Sequence, residues 1–196
     1  QTRETGIITF VLARFLGIGK CNLTGMQKSF LIILLLIALV SLLISLQDTY
    51  KYGSVDMRGR VVGSRLFWNG YDPYKFEWHP GISDRLLAPS QKYLGYNKTP
   101  YPPTLLTIYG ISAWLPYKVQ QWLWFFFSWA AMVGSILILT RTMRAQKARY
   151  LFLVLAIIFF VTGYFWRLHV ERGQYYIILV LLLSIGIYYE SKADKS

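Results

Sequence analysis

From Ser29 to Leu46 the chain reads SFLIILLLIALVSLLISL, without a single charge. A bilayer core about 30 Å thick needs roughly 17–25 such residues in a helix. Inside hydrocarbon only a helix or a closed barrel leaves no backbone group unpaired. Three further stretches suit the same role: residues 120–140, 150–166 and 175–189, the last of them short but extendable through Gly173. Aromatic residues gather at their ends, among them Trp122, Trp124, Tyr150, Trp166 and Tyr176, as an interfacial belt requires. The expectation is an all-α integral membrane protein of about four transmembrane helices in a single membrane domain.

Composition agrees with that reading. The chain is 55% hydrophobic and only 15% charged, where soluble domains average about 25% charge. Lys and Arg number 21 against 9 Asp and Glu, a net charge of +12. A basic balance invites nucleic acid, but long Leu/Ile runs are foreign to basic nucleic-acid modules, and no nucleic-acid partner is expected. The single cysteine, Cys21, excludes an intrachain disulfide framework and a cysteine-based zinc site. Gly17-Ile-Gly19-Lys20 lacks both the spacing and the following Ser/Thr of a phosphate-binding loop.

Charge distribution sets an expected orientation. Arg141, Arg144, Lys147 and Arg149 crowd a loop with no acidic residue, which the positive-inside rule places in the cytoplasm. Lys28, Lys192 and Lys195 then fall on the same side. This arrangement requires the short apolar stretch 104–116, bracketed by Pro102, Pro103 and Pro116, to lie at the interface rather than to span. Residues 1–28 read as a cytoplasmic or interfacial extension, with Met26 resembling a natural start. Residues 47–119 form a long external segment, and residues 167–174 a short external turn.

The long segment opens with Asp56-Met-Arg58-Gly-Arg60-Val-Val-Gly-Ser-Arg65-Leu-Phe-Trp68. Its spacing predicts an amphipathic helix near 56–68, apolar side down on the membrane surface, with Asp56 and Arg60 four apart on one face. Asn69-Gly70 ends it, and Tyr71-Asp72-Pro73-Tyr74 makes a turn. Lys75 to Thr99 follows as ordered loop without periodicity. Asp56 has two readings. One is a surface carboxylate paired with arginines, worth under about 1 kcal/mol. The other is a general base above the membrane, beside guanidinium groups that hold a phosphate. The turn with Arg167, His169, Glu171, Arg172, Gly173 and Gln174 divides the same way, between snorkelling helix-end charges and a site.

Taken in order, these pieces resemble glycosyltransferase family 87. They are a first membrane helix, the Asp-x-Arg-rich helix, Gly70-Tyr-Asp72-Pro73-Tyr74, Tyr101-Pro102-Pro103, and Gly173-Gln174 at a helix start. The likeness covers roughly Met26 to Tyr189 and implies a GT-C-like fold. Because family members run to about twice this length, it also implies the N-terminal half of a longer chain.

The resemblance implies an inverting transfer of a hexose, mannose foremost, from a polyprenyl-phosphate donor to an envelope glycolipid or glycan. The reaction would lie on the outer face of the plasma membrane, without cofactor or metal. Asp56 is then the base, and Arg58, Arg60, Arg65 and Arg172 are the donor-phosphate contacts. Asp72, Tyr74, Tyr101, His169, Glu171 and Gln174 are the substrate contacts. A non-catalytic subunit or scaffold of an envelope-polysaccharide assembly or export complex is the alternative. A transporter comes last, because the four apolar stretches hold no ionisable residue.

Overall fold

A computed structural model of the chain describes residues 25–77, 86 and 99–193, and every regular element of four or more residues among them is an α-helix. They are α1 (Gly25–Tyr52), α2 (Val55–Trp68), α3 (Pro103–Gly110), α4 (Tyr117–Thr142), α5 (Gln146–Thr162), α6 (Tyr164–Glu171) and α7 (Tyr176–Ala193). The expectations for the N-terminal extension before Gly25, and for residues 78–85 and 87–98 of the loop, lie outside the described residues.

Helices α1, α4 and α7 are long and apolar enough to cross a membrane, and α5 with α6 adds a fourth crossing if the pair forms one broken span. Leu36, Val40 and Leu43 on α1, Phe126 on α4, and Leu182 and Leu183 on α7 are exposed. A helix apolar on all sides belongs in lipid or a deep core, and these faces are uncovered. Ser135, Thr140 and Ser184 each donate to the carbonyl four residues back, at 2.7, 2.6 and 2.7 Å, so these hydroxyls bring no unmet polar group into hydrocarbon. The chain is an all-α membrane protein.

Helix ends do not coincide with the ends of the apolar runs. Apolarity stops at Leu46, yet α1 continues to Tyr52, because nothing in Gln47–Tyr52 breaks a helix until Gly53. The apolar run 150–166 is continuous in composition, but Gly163 adopts extended geometry (ψ 109°) and divides α5 from α6. Helix α3 has eight residues, a rise of about 12 Å, far short of the hydrocarbon core.

The chain divides into two compact units. One comprises Gln1–Gln47, Ser128–Arg167 and Tyr175–Ser196. In it Trp129 meets Trp166 edge-on at 5.3 Å, and side chains of α4, α5 and α7, including Met132, Phe152 and Ile177, line an apolar cavity of about 290 Å³.

The other unit comprises Asp48–Phe127 and Leu168–Gln174. Its core is the packing of α2 on α3. Met57, Val61, Val62 and Leu66 lie on one helical face, and all four are fully buried, as are Leu106 and Tyr109 of α3. The apolar face of α2 is thus covered by protein, not left bare for the membrane surface as its sequence suggested. Ser64 Oγ donates to the Leu106 carbonyl at 2.7 Å. A Cβ on Gly63 would stand 2.5 Å from Thr99 Oγ1 and 3.1 Å from Leu106, so the glycine sets how closely the helices approach.

The end of α1 is held from outside the helix. The left-handed pair Gly53 and Ser54 (φ 68° and 55°) turns the chain into α2. Gln121 Nε2 donates to the Thr49 carbonyl at 2.6 Å and Tyr117 Oη to Gly53 at 2.6 Å. Arg58 donates to the carbonyls of Tyr52 and Gly53, both at 3.1 Å. A cation on terminal carbonyls also complements the helix dipole.

Candidate active site

Asp56 enters the site because the turn at Gly53–Ser54 starts α2 at Val55, which puts the carboxylate in the first turn of the helix. There a negative side chain complements the dipole. Gly173 brings the second half of the site to α2. Its φ is +61°, and a Cβ would stand 2.9 Å from that of Met57, so only glycine lets this turn lie on the helix. The Gln174 amide N–H donates to the His169 carbonyl at 2.9 Å, which closes the turn after α6. All these residues belong to the second unit.

Asp56 and Arg60, one turn apart, are joined through the Gln174 side chain. Arg60 Nη2 donates to Gln174 Oε1 at 2.6 Å, and Gln174 Nε2 donates to Asp56 Oδ2 at 2.6 Å. Guanidinium only donates and carboxylate only accepts, so the amide has one chemically sensible orientation. Arg60 is 3% exposed. Its Nη1 donates to the Gly173 carbonyl at 2.8 Å, and its guanidinium lies 4.8 Å from the Tyr101 ring centroid and 5.7 Å from that of Tyr109. Carbonyl, amide and ring faces together stabilise that buried cation.

Tyr109, which the sequence did not single out, is fully buried. Its hydroxyl donates to the Gly173 carbonyl at 2.7 Å, and its ring stacks on Trp124 at 4.3 Å. Tyr101 Oη donates to the backbone carbonyl of Asp56 at 3.4 Å. Arg172 Nη1 stands 3.8 Å from Asp56 Oδ2, and its side chain is half exposed, so the open side of the site carries one carboxylate and one accessible guanidinium.

The other residues marked from the sequence have different surroundings. Arg58 points to the end of α1, as described above. Arg65 is buried, with Nε on the Ala113 carbonyl and Nη2 on that of Leu115, both at 3.0 Å. Burial lowers its pKa from the usual arginine value. Gln120 donates to the same Leu115 carbonyl at 2.8 Å, so the two side chains together hold the turn after α3. Asp72 is exposed and accepts from the Tyr74 N–H at 2.9 Å, an Asx turn. Tyr74 Oη donates to the Tyr101 carbonyl at 2.8 Å. His169 and Glu171 are half-buried near the end of α6.

The structure therefore gathers Asp56, Arg60, Tyr101, Arg172 and Gln174, with Tyr109 and Gly173 added. Tyr74 joins through the Tyr101 backbone, and Asp72 through its turn to Tyr74. Arg58 and Arg65 are engaged with backbone carbonyls. Among the described residues, no three His, Cys, Asp or Glu side chains converge as a metal site would need.

Residues 99–194 match the family model of glycosyltransferase family 87. Tyr101, Tyr109 and the whole 167–174 turn lie inside that match, whereas Asp56 and Arg60 precede it. No curated protein and no solved structure matches the chain.

Proposed function

From a chain whose C-terminal part is of the glycosyltransferase family 87 type, we propose a membrane glycosyltransferase in which Asp56 is the general base. The donor is a hexose, mannose foremost, on a polyprenyl phosphate, and the acceptor is an envelope glycolipid or glycan. The reaction takes place at the outer face of the plasma membrane.

The observation that carries this reading is the pairing of Asp56 with Arg172. A half-buried carboxylate at the start of a helix has an exposed guanidinium 3.8 Å away. In the transfer, a carboxylate lone pair takes the proton of the acceptor hydroxyl. The freed oxygen pair forms the new bond to the anomeric carbon, and the bond from that carbon to the phosphate oxygen breaks with its electrons. Attack opposite the leaving group inverts the anomeric centre. The lipid phosphate leaves as a stable anion and needs no acid, only positive charge, which Arg172 supplies. Arg60, enclosed by Tyr101, Tyr109 and Gln174, acts inside the protein, and Arg58 and Arg65 hold the fold.

The test is transfer from a polyprenyl-phosphate mannose donor by the full chain and by Asp56→Asn and Asp56→Ala. Loss of the base lowers the rate by roughly 10²–10⁴-fold. Transfer at near wild-type rate in both variants would overturn the base assignment, whereas no transfer by the full chain itself would favour the scaffold reading.

A further inference from the structure

The sequence marked Gln174 as a substrate contact, but its amide is engaged at both ends with protein. Resting on Asp56 as the base, we propose that Gln174 is a positioning residue. It ties the Asp56 carboxylate to the buried Arg60 guanidinium and leaves Oδ1 as the atom that receives the proton. Oδ2 is the oxygen that Gln174 meets at 2.6 Å and that Arg172 approaches at 3.8 Å.

An unsupported aspartate rotates about two side-chain bonds, and a base misplaced by 1 Å loses much of its advantage. A hydrogen bond to one oxygen fixes the carboxylate plane. The support is rigid in turn, because Arg60 is anchored by the Gly173 carbonyl and enclosed by two tyrosine rings. A cation on the amide oxygen also polarises the amide, which strengthens the N–H as a donor to the carboxylate. Both contacts are short for N–H···O bonds, as charge assistance produces.

The charged and titratable groups around this carboxylate come from three places. Arg60 lies on α2 itself, Arg172 belongs to the turn after α6, and Tyr101 precedes α3, while His169 of α6 is coupled to Arg60. Gln174 and Arg172 reach Oδ2 directly.

The experiment compares Gln174→Leu and Gln174→Glu with wild type and Asp56→Asn, using polyprenyl-phosphate mannose as donor across a pH series. Positioning predicts that Gln174→Leu lowers kcat about 10–100-fold, with KM within about twofold. The acid limb of the pH–rate profile moves to higher pH, because a carboxylate that loses a donor protonates more readily. Gln174→Glu keeps the size and the Arg60 partner but sets a second carboxylate against Asp56, so its acid limb moves further.

A raised KM with kcat and the acid limb unchanged would make Gln174 a substrate contact and overturn the proposal, as would no change at all. Wild-type-like transfer by Asp56→Asn would instead overturn the base assignment, whatever the Gln174 variants do. If the wild-type chain transfers no sugar from this donor, infrared difference titration of wild type against Asp56→Asn follows the carboxylate directly. A midpoint unmoved by Gln174→Leu would then overturn the proposal.

Discussion

Tyr109 shapes the site from its buried side. Its hydroxyl shares the Gly173 carbonyl with Arg60, and its ring fills the space between that guanidinium and Trp124. Tyr109→Phe keeps the stack and removes the hydroxyl, and it is expected to cost about 1–2 kcal/mol of stability. Thermal or denaturant unfolding in detergent measures that loss. From the sequence, Tyr109 was one aromatic in an apolar stretch, and periodicity marks such a residue as buried without saying what its hydroxyl meets. The arginines show the converse. Arg58, Arg60, Arg65 and Arg172 look alike as charges near Asp56, and tertiary structure alone separates the two on backbone carbonyls, the one in the interior and the one facing solvent. A long side chain reaches across a turn of helix, so its address is not local information.

At the scale of elements, the approach of α2 to α3 rests on Gly63. Gly63→Leu forces a branched side chain against Thr99 and Leu106, and the overpacking is expected to destabilise by at least about 1–3 kcal/mol. At Gly59 a Cβ meets only the Tyr101 ring edge at 3.6 Å, an ordinary contact. Gly59→Ala should therefore melt within a few degrees of wild type. Equal losses in the two variants would show that Gly63 does not set the spacing. In the sequence, a Gly59-x-x-x-Gly63 pair outside a long apolar run has little meaning of its own. Its use emerges once α3 is known to lie there, and the intervening loop hides that contact from the sequence. By contrast, α2 itself, its stop at Asn69 and the turn at Asp72 were legible, because capping and turn chemistry are local.

For the whole molecule, the apolar runs revealed the long helices, whereas the break at Gly163 and the extension of α1 to Tyr52 depend on backbone geometry that hydropathy does not register. The expected orientation is checked with thiol labelling in a Cys21→Ser background. Glu171→Cys should react with an impermeant reagent from outside, and Ala145→Cys only after the membrane is opened. The opposite pattern would reverse the orientation. The reach of the Arg60 contacts also bears on biogenesis. Gly173 and Gln174 lie 113 and 114 residues downstream of the guanidinium they receive. A nascent chain that has not reached them holds Arg60 in a partial cradle, with two of its acceptors still unmade. The last turn to leave the ribosome before α7 therefore completes the polar centre of a unit whose first helices were made long before, so order of synthesis and order of assembly run apart.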